Sequence, residues 1–305
     1  MTMTADLSVV IVTYNSASDI ERCLDSLPAD NQELALDILV VDNASSDATL
    51  ELIRARYPRV ALTANEKNTG FGAANNQAMR ECSSELILLL NPDTEVAPGA
   101  LETMMEFMNA HAECGCCGPM LVDENGVEAP AVAMPDALGL MLNTLKLKGA
   151  ENRKVPTVLS GACLMLRSEL LERVGYLDEQ FFWCEDVDYC LRVLAAGYTV
   201  MSCKQAVVRH FSGQSAKSNQ KLHMYAMYSS KVRFAYKHLS GLKRAATFCW
   251  LCLEIVLRYL KCQFAATVLR GGVEEAGKAE GLRAVLWRLP LILQHDYASD
   301  YRRFS

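Results

Sequence analysis

The sequence predicts an α/β fold in which a mostly parallel, Rossmann-like sheet is flanked by helices and followed by a helical C-terminal extension. In the first 110 residues, a short apolar run is followed three times by apolar residues at helical spacing. This alternation is typical of parallel sheets with helices on both sides. The chain has 305 residues, of which 51% are hydrophobic and 22% charged, so it is long enough and apolar enough to bury a full core.

The first three predicted strands each end in a polar cluster. The strands cover residues 8–12, 38–41 and 86–90, and the clusters are 13–15, 42–47 and 91–95. Because the carboxyl ends of parallel strands meet at one edge of a sheet, we expect these clusters to line a common ligand-binding crevice.

The middle of the chain is less regular. Strands are predicted at 113–122 and 158–166, and helices near 169–174 and from residue 185 to a stop at Gly197. Residues 127–156 carry little periodicity, so we interpret them as a loop-rich insertion.

Charge is divided unevenly along the chain. Residues 1–220 contain 16 Lys/Arg and 30 Asp/Glu, whereas residues 221–305 contain 14 and 6, which gives −14 and +8 and sums to −6. We therefore expect no nucleic-acid partner, and we expect the C-terminal part to meet any anionic surface. No basic residue precedes the first apolar run, so a secretory signal is not predicted and a cytoplasmic location is expected.

The 12 cysteines are interpreted mainly as buried thiols, because disulfide frameworks belong to small secreted domains. Cys114 with Cys117 and Cys249 with Cys252 form two CxxC pairs. The pairs are far apart in the chain, and a zinc site stays open as the less favoured alternative.

A series of motifs resembles glycosyltransferase family 2, and within it bacterial rhamnosyltransferase-type enzymes. The motifs are, in order, VVIVTYN, VVDNASSD, NTGFGAANN, LLLNPDTE, SGACLMLR, FFWCEDVDYCLR and VVRHFSGQS. The resemblance covers about residues 7–215. It implies a GT-A catalytic domain over 1–220, with a donor half of about 1–120 and an acceptor half of about 121–220, followed by the basic extension 221–305. It also places the insertion at 127–156 near the acceptor entrance.

The resemblance implies a divalent metal, Mg²⁺ or Mn²⁺, that neutralises the charge developing on a departing diphosphate. Asn91-Pro92-Asp93 stands where the family has its DxD motif, which makes Asp93 the sole direct carboxylate ligand and leaves Asn91 beside the donor. His210 matches the family histidine that completes the metal shell. The alternatives are an ordinary turn at the strand end and a structural histidine.

Donor-binding residues follow from the same resemblance. They are Thr13, Tyr14, Asn15, Asp42, Asn43, Asp47, Asn68, Gly70, Phe71, Asn75 and Asn91. For Asp47, helix capping is an equally open interpretation, and the 68–75 loop also reads as a turn that opens a helix. A dinucleotide fingerprint is disfavoured there, because Asn75 stands in place of the third glycine.

The acidic pair Glu185-Asp186 matches the family's carboxylates at a helix start. The resemblance makes Asp186 the general base and gives Glu185 the role of orienting the acceptor, while Asp188 is explained by the helix dipole. Capping of the helix stays open for Asp186. Trp183 is expected to form an acceptor-side platform, with core packing as the alternative.

The expected reaction is a single displacement with inversion. The implied donor is dTDP-L-rhamnose or a UDP-sugar, and the implied acceptor is a glycan or a polyprenyl-diphosphate-linked sugar. The alternative is a non-catalytic GT-A-like sugar-nucleotide or glycan-binding protein of an envelope assembly. Asn91 supports this alternative, and the retained acidic residues oppose it.

The apolar segment 245–262 is predicted to lie in a membrane interface rather than to span a bilayer. Glu254, Arg258 and Lys261 share one helical face, and each would cost about 2.5–3.5 kcal/mol at the bilayer centre. We expect this charged face to stay in water while apolar residues bury elsewhere around the helix, namely Phe248, Trp250, Leu251, Ile255 and Leu257. The alternative is packing on the catalytic domain or in the interface of an oligomer.

Overall fold

The structure, a computed structural model, describes residues 5–28, 34–128, 159–211, 220–267 and 272–292. Most of the 127–156 insertion therefore lies outside the described residues. The described chain divides into two compact units, one built around a sheet and one built of helices. The helical unit also includes residues 179–185.

A mixed eight-stranded sheet forms the centre of the first unit, counted over the described residues, in the order β3-β2-β1-β4-β7-β6-β8-β5. The strands are β1 (Leu7–Thr13), β2 (Leu36–Asp42), β3 (Ala61–Ala64), β4 (Leu86–Leu90), β5 (Thr94–Val96), β6 (Cys114–Val122), β7 (Cys163–Arg167) and β8 (Thr199–His210). Six helices accompany these strands in the described chain. They are α1 (Ile20–Asp25), α2 (Thr49–Arg56), α3 (Phe71–Met79), α4 (Ala100–Ala110), α5 (Leu170–Arg173) and α6 (Glu185–Ala195).

The first four strands in this order are parallel, as the alternating pattern predicts. β7 runs antiparallel to both β4 and β6, and β5 runs antiparallel to β8. The periodicity of a strand does not encode its direction, so these antiparallel pairings were not predicted. All seven residues of β1 and all five of β4 are buried, which explains why β4 is entirely aliphatic and β1 is apolar except at Ser8 and Thr13.

The strand order places the predicted crevice. β1 pairs with β2 on one side and with β4 on the other, so the chain reverses its direction of travel across the sheet at β1. Ligands bind at such switch points in open α/β sheets. The register sets Thr13 opposite Asp42 at the carboxyl ends of β1 and β2.

Three long helices form most of the second unit: α7 (Gln220–His238), α8 (Gly241–Thr267) and α9 (Gly272–Ile292). Their core is apolar and includes Tyr225, Val232, Leu251 and Leu282. Gly281 of α9 approaches the α7 backbone closely, because a Cβ built there would lie 2.3 Å from the carbonyl oxygen of Lys221. None of the described helices is both long enough and apolar enough to cross a membrane.

The twelve cysteines carry free thiols. Cys114, Cys116 and Cys117 are buried in β6, and burial raises the pKa of the Cys114 thiol to about 11. Nowhere in the described chain do three or more His, Cys, Asp or Glu side chains gather as a metal cluster.

Candidate active site

Asp42 ties together the loops that follow β1 and β2. Its carboxylate is fully buried and accepts hydrogen bonds from Thr13 Oγ1 at 2.9 Å and from the Ser45 backbone N–H at 2.9 Å. These bonds satisfy a buried carboxylate, whose desolvation would otherwise be costly. The structure thus gives Asp42 and Thr13 a structural role, and their contact with a donor stays a prediction.

Asn15 extends this connection at the exposed end of the loop. It adopts a left-handed backbone conformation with φ of 51°, and its Oδ1 accepts the Ser46 N–H at 2.8 Å. Its own N–H donates to Ser45 Oγ at 2.8 Å. The neighbouring Tyr14 is 39% exposed, so its ring is available at the sheet edge.

The Asp47 carboxylate accepts hydrogen bonds at the start of α2, in line with the capping interpretation of its sequence position. Its carboxylate accepts the backbone N–H of Thr49, the first residue of α2, at 3.0 Å and that of Ala17 at 3.1 Å. Partial burial alone would raise the pKa of Asp47, but these hydrogen bonds and that of the Thr49 hydroxyl lower it. Asp47 is therefore ionised and holds two loops together, while binding of a donor stays a prediction.

Asn43 joins the β2–α2 loop to the 68–70 turn. Its Nδ2 donates to Asn68 Oδ1 at 2.8 Å, and its Oδ1 accepts the Thr69 N–H at 2.9 Å. An amide side chain suits this position, because it carries a donor and an acceptor on two adjacent atoms. Gly70 follows with φ of 94°, a conformation that favours glycine.

The remaining residues of this loop lie at the start of α3. Asn75 is buried, and its Nδ2 donates to the carbonyl of Phe71 at 2.9 Å. Phe71 is the first residue of the helix and is partly buried. The absence of a third glycine therefore reflects a buried amide that braces the first turn.

Asn91, directly after β4, has a buried side-chain oxygen for which the described residues provide no hydrogen-bond partner. Its backbone N–H donates to the carbonyl of Ala162 at 2.9 Å. A buried polar atom without a partner costs about 1–3 kcal/mol. An incoming ligand with a hydrogen-bond donor would remove this cost, which fits a residue that faces a bound substrate.

Asp93 and His210 meet at the same edge of the sheet. His210 Nε2 lies 3.2 Å from Asp93 Oδ1, and each side chain is about one fifth exposed, at 21% and 19%. The antiparallel register sets Thr94 opposite His210, and the Phe211 N–H donates to the carbonyl of Asp93 at 2.9 Å. The Arg22 guanidinium covers the Phe211 ring at 3.7 Å.

This pair fits a divalent cation only in part. Asp93 offers a carboxylate oxygen and His210 an imidazole nitrogen, and the described residues contain no third His, Cys, Asp or Glu placed with them. Mg²⁺ normally keeps several waters and is bound by one or two carboxylates together with substrate phosphates. The donor set therefore suits a cation shared with a diphosphate and does not suit a closed protein metal centre.

Asp186 lies in the first turn of α6, and its carboxylate is held in place by backbone groups. Its Oδ2 accepts the Gly161 N–H at 2.8 Å and its Oδ1 accepts the Val187 N–H at 2.7 Å. Burial raises the pKa of Asp186, and these hydrogen bonds oppose the rise. Since Ala162 bonds to Asn91, the segment 161–162 connects the carboxylate of Asp186 to the end of β4.

The other predicted residues near α6 have different surroundings. Glu185 is buried, and Asp188 is fully buried with its carboxylate 2.8 Å from Arg192 Nε, so an ion pair accompanies any dipole effect. Trp183 belongs to the helical unit with Glu185 and is 42% exposed. Its ring meets His223 edge-on at 5.3 Å between centroids, and its exposure argues against packing in a core.

Two residues of this site were missed at the sequence level. Ser45 bonds to both Asp42 and Asn15, and Gly161 holds the carboxylate of Asp186. The small residues of Ser160-Gly161-Ala162 before a strand were a signal for Gly161, because backbone N–H groups reach a carboxylate most easily where side chains are small.

The sequence profile of the family described as Glycosyl transferase family 2 matches residues 8–175. An N-acetylglucosaminyl-diphospho-decaprenol L-rhamnosyltransferase of Mycobacterium tuberculosis is 28% identical over 271 residues, which cover 80% of this chain and 88% of the relative. A low-salt glycan biosynthesis hexosyltransferase of Haloferax volcanii is 26% identical over 215 residues, which cover 67% of this chain and 66% of the relative.

Two solved structures are similar in fold. The mannosyltransferase PcManGT from Pyrobaculum calidifontis, in complex with GDP-Man and Mn²⁺, has a TM-score of 0.57 and 20% identity, covering 99% of this chain and 87% of its own. TarS of S. aureus, residues 1–349, has a TM-score of 0.53 and 17% identity, covering 98% and 92%. With the flanked mixed sheet, these similarities confirm the predicted GT-A fold and its helical C-terminal part.

Proposed function

The chain belongs to glycosyltransferase family 2, and from this premise we propose that it moves one sugar from a nucleoside diphosphate to an acceptor hydroxyl with inversion of the anomeric configuration. We also propose that residues 1–220 form the catalytic domain and 221–305 the extension. The acceptor is a cell-envelope glycan or a lipid-linked sugar.

The observation that carries this proposal is the backbone connection between Asp186 and the end of β4. Gly161 donates to the carboxylate of Asp186, and Ala162 accepts from Asn91. The carboxylate proposed to accept the proton and Asn91, proposed to meet the donor, are thus both hydrogen-bonded to one short segment. Such fixed positions are what a displacement needs, because a general base acts only within hydrogen-bond reach of its proton.

In the proposed reaction, Asp186 accepts the proton of the attacking hydroxyl, and Glu185 and Trp183 orient the acceptor. Asp93 and His210 would hold Mg²⁺ or Mn²⁺, which when bound neutralises charge on the departing diphosphate. The side-chain amide of Asn91 forms a hydrogen bond to the nucleotide-sugar. The hydroxyl attacks the anomeric carbon from the face opposite the departing diphosphate, so a single displacement inverts the configuration without a covalent sugar–enzyme species.

The loops after the first three strands would receive the nucleoside. Tyr14 and Asn15 are exposed at the sheet edge, and the Asn43 connection fixes the Gly70 turn. This arrangement supports binding of ribose and diphosphate by exposed polar groups and backbone N–H groups. Thr13, Asp42 and Asp47 would then act by holding these loops in place as well as by direct contact.

For the donor we propose dTDP-L-rhamnose, with UDP-sugars as the alternative, and for the acceptor a polyprenyl-diphosphate-linked sugar. The mycobacterial relative is an L-rhamnosyltransferase that acts on N-acetylglucosaminyl-diphospho-decaprenol, which supports the choice of the sugar and of the acceptor. A lipid-linked acceptor would place the reaction at a membrane surface, with the enzyme peripheral on its cytoplasmic face.

The test is a transfer assay with the full chain. The donors are dTDP-L-rhamnose, UDP-N-acetylglucosamine and GDP-mannose, and the acceptor is a short-chain N-acetylglucosaminyl-diphospho-polyprenol. We expect acceptor-dependent release of dTDP with Mg²⁺ or Mn²⁺, loss of release in excess EDTA, and an inverted anomeric configuration by NMR.

Two outcomes would change the proposal. Full activity in EDTA would remove the metal from it. A donor-dependent rise in the unfolding temperature, which reports binding, without transfer or donor hydrolysis would favour the non-catalytic binding protein that Asn91 suggests.

A further inference from the structure

Helix α8 packs one face against the core of the helical unit. Glu254, which the sequence pattern predicted to be solvated, is buried there. Leu251 and Ile255 are fully buried there. Glu254 is 3% exposed and accepts hydrogen bonds from the Tyr228 hydroxyl at 2.8 Å and from Arg258 Nε at 2.9 Å. The prediction that Glu254 lies on a solvated face is therefore wrong, because tertiary packing supplies partners that satisfy the buried carboxylate.

The opposite face of α8 is exposed and apolar. Its large side chains, which we call the α8 stripe, are Leu242 (85% exposed), Leu253 (49%), Val256 (39%), Leu257 (56%), Leu260 (57%) and Phe264 (56%). Spacings of three and four residues align the last five within about 100° of the helix circumference, and the stripe is about 33 Å long at 1.5 Å per residue. Exposed apolar surface of this extent marks a contact with something outside the described unit.

The charges beside the α8 stripe indicate what that contact is. Lys243 and Lys261 are exposed and lie five helical turns apart, so both border the same side of the stripe. Glu254, the single acidic residue of α8, is buried, so the exposed surface of this helix carries no negative charge. Residues 221–305 carry 14 Lys/Arg against 6 Asp/Glu.

An anionic lipid surface fits this arrangement better than a second copy of the chain. Two copies joined through the stripe would bring the lysines of both copies close together. Because α8 has no exposed acidic residue, nothing on this helix would offset their repulsion. A membrane of anionic lipids instead offers apolar acyl chains for the stripe and negative head groups for the lysines.

We propose that the α8 stripe docks onto an anionic membrane, with Leu253, Leu257, Leu260 and Phe264 in the acyl boundary and Lys243 and Lys261 at the head groups. This surface is distinct from the proposed catalytic residues. It is tested with vesicles that contain neither donor nor acceptor, so failure of docking and failure of transfer are separate results.

The experiment is sedimentation of the full chain with vesicles of phosphatidylcholine and phosphatidylglycerol, and with vesicles of phosphatidylcholine alone. The test variant is Leu257→Ser with Leu260→Ser, which leaves the net charge unchanged. The matched control is Val273→Ser with Trp287→Ser, two large side chains of α9 that are 90% and 81% exposed. We expect the test variant to lower partitioning onto anionic vesicles at least about tenfold, from the lost apolar burial, and the control to leave it unchanged.

Charge supplies the second arm of the experiment. Lys243→Gln with Lys261→Gln should weaken binding to anionic vesicles and reduce its dependence on salt. Equal sedimentation of wild type and the Leu257→Ser, Leu260→Ser variant, with equal unfolding temperatures, would overturn the proposal. So would light scattering that shows a wild-type dimer converted to a monomer by the same two substitutions while vesicle binding is unchanged.

Discussion

The backbone N–H of Gly161 lies 2.8 Å from Oδ2 of Asp186, and it donates a hydrogen bond to that carboxylate. This bond favours the ionised form that a general base needs, whereas burial favours the protonated form. The hydrogen bond therefore fixes the position of the Asp186 carboxylate, and together with burial it determines the pKa of this proposed general base.

Replacing Asp186 by Asn should lower turnover by roughly two to four orders of magnitude, the usual range for loss of a positioned base. Donor affinity should change little, because the substitution preserves the size and shape of the side chain. Steady-state kinetics and donor titration measure both. Glu185→Gln is the companion variant: if it is the more damaging one, the two carboxylates exchange roles.

The acid limb of the pH–rate profile should lie above the ordinary aspartate value. Burial raises the pKa of Asp186 above 3.8, and the base must be ionised to act. kcat/KM should therefore fall as the pH is lowered through a pKa higher than 3.8, and the residual activity of Asp186→Asn should lack this limb. An identical acid limb in that variant would assign it to another group.

Gly161→Ala should reduce turnover about tenfold without changing donor affinity, since a small misplacement of a base is costly. A Cβ at residue 161 would lie 3.3 Å from the Asp186 Cβ, so the carboxylate has to move. Gly118→Ala is the matched control, because its Cβ would lie 3.3 Å from Leu159 Cδ2 instead. Equal loss of activity in the two variants would point to general crowding of the sheet.

Asp93→Ala should lower metal-dependent transfer by roughly a hundredfold or more, because a metal ion contributes several kcal/mol to such a reaction. Glu95→Ala is the control, because Glu95 is a nearby carboxylate that lies opposite Arg209 in the β5–β8 pairing. Its carboxylate forms an ion pair with Arg209 at 2.9 Å, and both side chains are partly exposed. Such a pair contributes little to stability. A folded Asp93→Ala enzyme with normal activity and normal metal dependence would contradict the proposed ligand.

Two glycines of α9 should respond oppositely to alanine. Gly281→Ala places a Cβ 2.3 Å from the Lys221 carbonyl oxygen and should destabilise the protein by about 1–3 kcal/mol, as overpacking does. Gly277→Ala meets its nearest neighbours at an ordinary 3.6 Å and should stabilise the helix by about 0.5–1 kcal/mol. Denaturant midpoints measure both, and stabilisation by Gly281→Ala would refute the close helix contact.

Local patterns in the sequence were sufficient to predict β1, β2 and β4, which end at the crevice, whereas the short strands β3 and β5 were missed. The apolar runs in β1 and β4 and the polar residues after them identified the sheet edge, since each pattern depends on neighbours in the chain. The direction of β7 was not predictable, because an apolar strand reads the same in either direction.

The sequence by itself determined the family motifs, the polar clusters at the strand ends and the basic character of residues 221–305. Only the tertiary structure decided that Asp93 meets His210, that Gly161 holds Asp186, and that Glu254 is buried while Leu257 and Leu260 are exposed. The physical reason is that the periodicity of a sequence assigns each side chain only to one face of its own helix or strand. Which face is buried, and which distant group satisfies a charge, depends on the elements that pack against it.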